Sequence, residues 1–167
     1  NISNVCFNIL GGTTPTDLSN MSAAASTGGL SARMIFPYAN KKGKSNPEPE
    51  DTDWHKDTWK KLEHDLFLIY RLKGAFKYTP EYRERYNKWY YHQDANPPFV
   101  DRLFEGYVGR RAAYVKKLSM INSASRSSNM VLDVKDLMFA IESLQEVEVD
   151  MQFALGGVGD NNNVGVM

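Results

Sequence analysis

The first apolar run, Val5 to Leu10, is broken only by Asn8. Val, Phe, Ile and Leu in so short a run predict a strand covered on both faces. Thr14-Pro15-Thr16-Asp17 predicts a helix start, with Thr14 as cap, Pro15 in the first helical position and Asp17 at the positive end of the dipole. That helix is expected to run to about Ala25. Met34 to Tyr38 predicts a second short strand, and Pro37, which has no N–H for a ladder, sets it at an edge or a strand end. From Trp54 the period becomes helical: Trp59, Leu62, Leu66, Ile69 and Tyr70 share one face, and Gly74 supplies a stop. Ala75 to Tyr78 predicts a short strand, Thr79-Pro80-Glu81 a helix to about His92, and Asn96-Pro97-Pro98 a connection. Val100, Leu103, Phe104, Tyr107, Tyr114, Leu118 and Ile121 predict one long amphipathic helix running through Arg110 and Lys117. Ser123 to Asn129 reads as a polar loop and Met130 to Leu132 as a strand. Asp133 caps a last helix with Leu137, Met138, Ile141, Leu144, Glu148 and Met151 along one side.

Between the two halves, residues 39–53 are first lysine-rich and then rich in Pro and Glu, with no apolar period. The expected organisation is therefore a strand-bearing region over 1–40, a linker or loop over 41–53, a helical domain with a small two-stranded ribbon over 54–155, and a Gly- and Asn-rich flexible tail over 156–167.

Composition narrows the function classes. In 167 residues, 20 Lys and Arg balance 20 Asp and Glu, so any contact with nucleic acid must come from local patches. The single cysteine, Cys6, allows no internal disulfide and no thiolate zinc site, which points to a reducing, cytoplasmic setting. No apolar run approaches the roughly 18 residues that span a bilayer, and no basic start precedes an apolar core, so neither membrane nor secretion is expected. The chain starts at Asn and is at once in a buried-type strand, as a piece of a longer polypeptide would.

Two segments carry a resemblance. Phe7-Asn8-Ile9-Leu10-Gly11-Gly12-Thr13-Thr14-Pro15, followed by Gly28-Gly29-Leu30-Ser31-Ala32-Arg33-Met34-Ile35-Phe36, resembles the last strands of the ATPase core in phage- and plasmid-encoded P-loop replication helicases and primase-helicases. There a strand with a polar sensor residue is followed by a Gly-Gly-x-x-x-Arg segment that leads into the next strand. The stretches Tyr107-Val108-Gly109-Arg110-Arg111 and Leu132 to Ile141 look like the helical region after that core. The resemblance implies a fold class: the α/β edge of a P-loop ATPase core, followed by a mainly α-helical domain. It also implies ATP and Mg as cofactors, a homo-oligomer, most simply a ring, and single-stranded DNA as partner. The chain departs from the pattern in having no G-x-x-x-x-G-K-[ST] loop and no acidic strand end for magnesium. Under this resemblance both lie upstream, and the chain alone is inactive.

The candidate site residues follow. Phosphoryl transfer needs positive charge where negative charge develops, and an arginine given in trans is a common source. Arg33 is the candidate finger or sensor; the plain alternative is an arginine at a strand start paired with a surface carboxylate. Asn8 is the candidate water sensor, or an asparagine satisfying sheet-edge backbone. Thr13 and Thr14 are candidates for phosphate contact, though a turn and a helix cap are the more economical roles. Arg110 and Arg111, on the expected wet side of the long helix with Lys116 and Lys117, are candidates for contacting nucleotide or a neighbouring subunit. Lys41, Lys42 and Lys44 form the densest basic run, either a loop tracking a phosphate backbone or a solvated linker. Tyr82, Arg83, Arg85, Tyr86, Lys88, Trp89 and Tyr90 interleave bases with aromatics as a stacking platform does, but Tyr82, Tyr86 and Trp89 recur at helical spacing, as a core does. His55 between Asp53 and Asp57, and His64 beside Asp65, are too few for a metal site, and none is expected. Ser31 has no flanking base pattern. The rival function class is a non-catalytic interaction or assembly module of a DNA-packaging or scaffold protein, in which the glycine segments are only tight turns.

Overall fold

The structure, a computed structural model, describes residues 8–20, 29, 31–41, 43, 45–48, 50 and 52–155. Val5 to Phe7 of the expected first strand, Cys6, the extension of the first helix to Ala25, Gly28, Lys42, Lys44 and the tail 156–167 lie outside these residues.

Two strand-to-helix units stand side by side at the centre. In each, a two-residue strand ends in a capping residue and turns directly into a helix: β1 (Lys77–Tyr78) into α3 (Pro80–Ala95), and β2 (Val131–Leu132) into α6 (Val134–Leu155). The strands are parallel, with Lys77 opposite Val131 and Tyr78 opposite Leu132. The ladder extends one residue each way, through Lys77 N–H to Met130 O (2.9 Å) and Thr79 N–H to Leu132 O (3.0 Å). Thr79 Oγ1 then accepts from Tyr82 N–H, with Pro80 in the first turn. Asp133 Oδ1 accepts from the backbone of Lys135 and Asp136, and Asp136 Oδ2 accepts in return from Asp133 N–H.

Between the two units runs α5 (Arg111–Arg126), which packs along α6 as the main helix pair. Val115 from α5 and Leu137, Ala140, Ile141, Leu144 and Met151 from α6 belong to one buried apolar cluster. Burying side chains of this size contributes roughly 1.5–3 kcal/mol each. Ser119 and Ser123 are fully buried on α5; their hydroxyls donate to Val115 O (2.8 Å) and Val131 O (3.2 Å). Among the described residues, no buried side-chain nitrogen or oxygen lacks a hydrogen-bond partner.

Parts of the described region before residue 40 rest on this body. α1 (Pro15–Ser19) buries Leu18 against α6, and Ile35, Phe36 and Tyr38 pack on the same core. The ring of Tyr38 meets Phe153 of α6 at 5.9 Å. Neither Asn8–Leu10 nor Met34–Tyr38 takes part in a strand among the described residues, and Ile9 and Leu10 are exposed. The one sheet ladder among the described residues joins β1 and β2 and includes neither segment.

Three further expectations are corrected. The long helix expected from Val100 to Ile121 is broken: a 3-10 turn (Arg102–Phe104) leads into the short α4 (Glu105–Val108), and α5 starts anew at Arg111 after Gly109 and Arg110. The break lets Phe99, Phe104, Tyr107 and Tyr114 stack in series, with centroids 4.2, 6.0 and 5.5 Å apart from Phe99–Phe104 through Phe99–Tyr107 to Tyr107–Tyr114. The loop expected from Ser123 is helical to Arg126, because Ser123 is a buried contact rather than a surface residue. Finally, α2 (Asp53–Tyr70), capped by Thr52 and His55, buries none of its residues. Trp59 is 68 % exposed, Leu66 62 % and Tyr70 83 %. Its apolar face is real and, although the helix touches α5, that face stays exposed among the described residues. The helix also ends at Tyr70, before Gly74, whose φ of 117° serves the turn into β1. Among the described residues no helix is long and apolar enough to cross a membrane.

Candidate functional site

Arg33 closes a 3-10 turn, Ser31–Arg33, that lies against α4. The turn is held from two sides. Tyr114 Oη donates a 2.6 Å hydrogen bond to Ala32 O. The Ala32 methyl sits over Gly106 of α4, where an added Cβ would be 2.7 Å away. Arg33 itself is exposed, and its Nη1 donates back to Gly29 O, at a position with no side chain to obstruct the guanidinium. The polar corner is shared: Arg110 precedes α5 by one residue, its carbonyl accepts from Tyr114 N–H (3.1 Å), and its side chain is exposed. Burial pushes the Tyr114 phenol above its ordinary value against the opposing charges of Arg110 and Arg33. At neutral pH it therefore carries the proton that it donates to Ala32.

Of the residues expected to act, this arrangement gathers Arg33 and Arg110 around one tyrosine. Arg111 is elsewhere, and the expectation of a wet side is corrected for it: Arg111 is 4 % exposed. Its Nε donates to Glu148 Oε1 (2.6 Å), its Nη2 to Glu148 Oε2 (2.9 Å) and its Nη1 to Gln93 Oε1 (3.5 Å). The guanidinium also lies over the Trp89 ring at 5.4 Å. Tyr107 Oη adds a donor to Glu148 Oε1 at 2.9 Å. Burial first, then the Glu148 carboxylate, drives the Tyr107 phenol far above its usual range. With its Nε, Nη1 and Nη2 each bonded, its plane against Trp89 and the side chain buried, Arg111 is a structural cation joining α5 to α6 and α3.

Thr14 is committed to the cap of α1, where its hydroxyl donates to Asp17 Oδ2 (2.7 Å) and accepts from Asp17 N–H (3.2 Å). Thr13 and Asn8 are exposed and lie outside any helix or strand. Lys41 is exposed on the segment leaving Tyr38; Lys42 and Lys44 lie outside the described residues. His55 is used in the cap of α2, its Nδ1 accepting from Thr52 N–H at 3.0 Å. The aromatic series runs from Tyr78 on β1 through Tyr82 and Tyr86 to Tyr90 on α3, at 6.0, 6.2 and 6.2 Å, with its two ends exposed. Tyr82 is buried and donates to Ser119 Oγ (3.3 Å). Burial raises the phenols of both Tyr82 and Tyr86. Arg83 and Lys116 cap the series from outside, over Tyr78 and Tyr86.

No local pattern joins Tyr114 to Ala32, because their contact spans 82 residues of chain. Nor does any single out the lock at the α5–α6 corner. There Asp136, fully buried, accepts from Arg126 Nη2 (2.7 Å) and from Asn122 Nδ2 (2.9 Å). No family model, curated protein or solved structure matches this chain.

Proposed function

We propose that the chain is the C-terminal portion of an ATP-dependent DNA replication helicase of the phage and plasmid type, in which Arg33 reaches the nucleotide bound by a neighbouring subunit. The observation that supports this reading is the presentation of Arg33: an exposed guanidinium on a short turn fixed to a packed helical body, with a second exposed arginine, Arg110, at the same corner. Such a group stabilises charge that develops on a transferring phosphoryl, and a finger of this kind is worth about 10³–10⁵ in turnover. ATP and magnesium would supply the γ-phosphoryl group and neutralise its charge, held mainly by residues upstream of this chain; Arg33 and Arg110 suit an anion's oxygens, and among the described residues no group of three or more His, Cys, Asp or Glu could hold a metal ion. The helical body then serves ring assembly and handling of single-stranded DNA, with Lys41, Lys42 and Lys44 following the phosphate backbone.

The test is the polypeptide that carries this chain together with the sequence upstream of it. It is expected to contain a P-loop about one ATPase core before Asn1 and to hydrolyse ATP faster with single-stranded DNA. A longer polypeptide with no such loop, or one without turnover, overturns the reading. The second reading, a non-catalytic assembly module of a DNA-packaging or scaffold protein, draws on a different observation, the uncovered apolar face of α2.

A further inference from the structure

We propose that Tyr114 and Gly106 together form a cradle that aims Arg33, making Tyr114 a positioning residue for phosphoryl transfer; this rests on the reading of Arg33 as a trans-acting finger. The turn that carries Arg33 has little to fix it. It is three residues long, it follows a glycine-rich stretch, and its own short hydrogen bond runs from the Arg33 side chain back to Gly29. Two outside contacts set where it sits. One is polar, the 2.6 Å bond from the Tyr114 hydroxyl to Ala32 O, one residue before the arginine. The other is steric, the absence of a side chain at Gly106, which lets the Ala32 methyl pack where an added Cβ would lie only 2.7 Å from it.

Both contacts come from elements that are themselves anchored. Tyr114 is 7 % exposed and stacks on Tyr107, whose hydroxyl is bonded to Glu148 on α6. A chain of rigid groups thus runs from the α5–α6 core to the backbone of Ala32. Exposed arginines have many rotamers, and an arginine that must meet a transition state benefits from a fixed Cα. The cradle supplies that fixed point while leaving the guanidinium exposed.

Two substitutions separate aiming from folding. Tyr114→Phe keeps the stacked ring and removes only the hydroxyl. Gly106→Ala adds a methyl that the Ala32 backbone must move away from, although alanine favours the helix more than glycine does. In the longer ATPase, each is expected to lower kcat by on the order of ten- to a hundredfold with KM nearly unchanged, with unfolding midpoints close to the parent for Tyr114→Phe. The Arg33→Ala/Tyr114→Phe double variant should be no slower than Arg33→Ala alone, because a lost aim cannot matter once the aimed group is gone. Trypsin gives a readout that does not depend on turnover: cleavage after Arg33, measured against cleavage after the exposed Lys41, should rise severalfold in Tyr114→Phe.

The outcomes are distinct. Tyr114→Phe with parental kcat, alongside a slow Arg33→Ala, overturns the cradle and leaves the finger standing. Fully additive losses in the double variant overturn the cradle as well, since they show Tyr114 acting independently of Arg33. Parental turnover in Arg33→Ala removes the finger, and the positioning role with it.

Discussion

Arg111 meets Glu148 as a two-pronged buried pair, Nε to Oε1 at 2.6 Å and Nη2 to Oε2 at 2.9 Å, with the two side chains 5 % and 7 % exposed. Such a pair adds little net stability over apolar residues of the same size, but its loss on one side strands a charge without water. Glu148→Gln is therefore expected to cost about 3–5 kcal/mol in urea unfolding, and Arg111→Met/Glu148→Leu to recover most of that loss. A Glu148→Gln variant within about 0.5 kcal/mol of the parent would show that the pair is not what joins α5 to α6.

Asp133 at the start of α6 sets part of the response to acid. Burial opposes its ionisation, but the N–H groups of Asp136 and Lys135, and then Arg126, outweigh it and hold the carboxyl below its ordinary value of 3.8. A carboxyl depressed in the folded state contributes stability above its unfolded pKa and loses it as pH falls through the folded one. The loss thus belongs below about pH 4. The side chain is 42 % exposed, so solvent screening keeps the effect under about 1 kcal/mol. Urea titrations from pH 6 to pH 2.5 should show a shallower acid loss for Asp133→Asn than for the parent; an identical slope would remove Asp133 from the account.

The apolar face of α2 contributes little to the fold. Trp59→Ser and Leu66→Ser are each expected to change stability by less than about 0.5 kcal/mol, against about 2–5 kcal/mol for Leu137→Ala, which sits at 0 % exposure. A loss above about 2 kcal/mol for Trp59→Ser would mean that this face is covered in solution.

These cases show what the sequence could carry. Helical period, caps and strand-to-helix turns are local, so α3, α6 and both short strands were readable from Thr79-Pro80 and Asp133 onward. Period tells that Trp59, Leu62 and Leu66 share a face, but not whether anything covers it. Arg111 was misread for a related reason. Beside Arg110 it resembles a wet pair, yet it lies three and four residues before Tyr114 and Val115, on the inner face of α5, and Glu148 on the apolar stripe of α6 was the visible hint of a buried cation. At the candidate site, Arg33 stood out through its glycines and Arg110 through its charge. Their meeting around Tyr114 depends on a chain reversal that no local pattern encodes.

Contact with DNA, in the proposed function, is local and electrostatic. Replacing Lys41, Lys42 and Lys44 by Ala in the longer polypeptide should weaken single-strand binding and lower the slope of log K against log salt by about 0.7 per lost phosphate contact, with no change in sequence preference. A triple variant with the parental affinity and slope would return this segment to a solvated linker.

The central claim is that Arg33 serves a neighbour's nucleotide, and the most direct measurement of it is steady-state ATP turnover of Arg33→Ala in the longer polypeptide, alone and mixed with a P-loop lysine variant. The account predicts turnover lower by on the order of a thousandfold with nucleotide binding and folding intact, and partial recovery on mixing, when one intact P-loop meets one intact Arg33. Parental turnover of Arg33→Ala would contradict it.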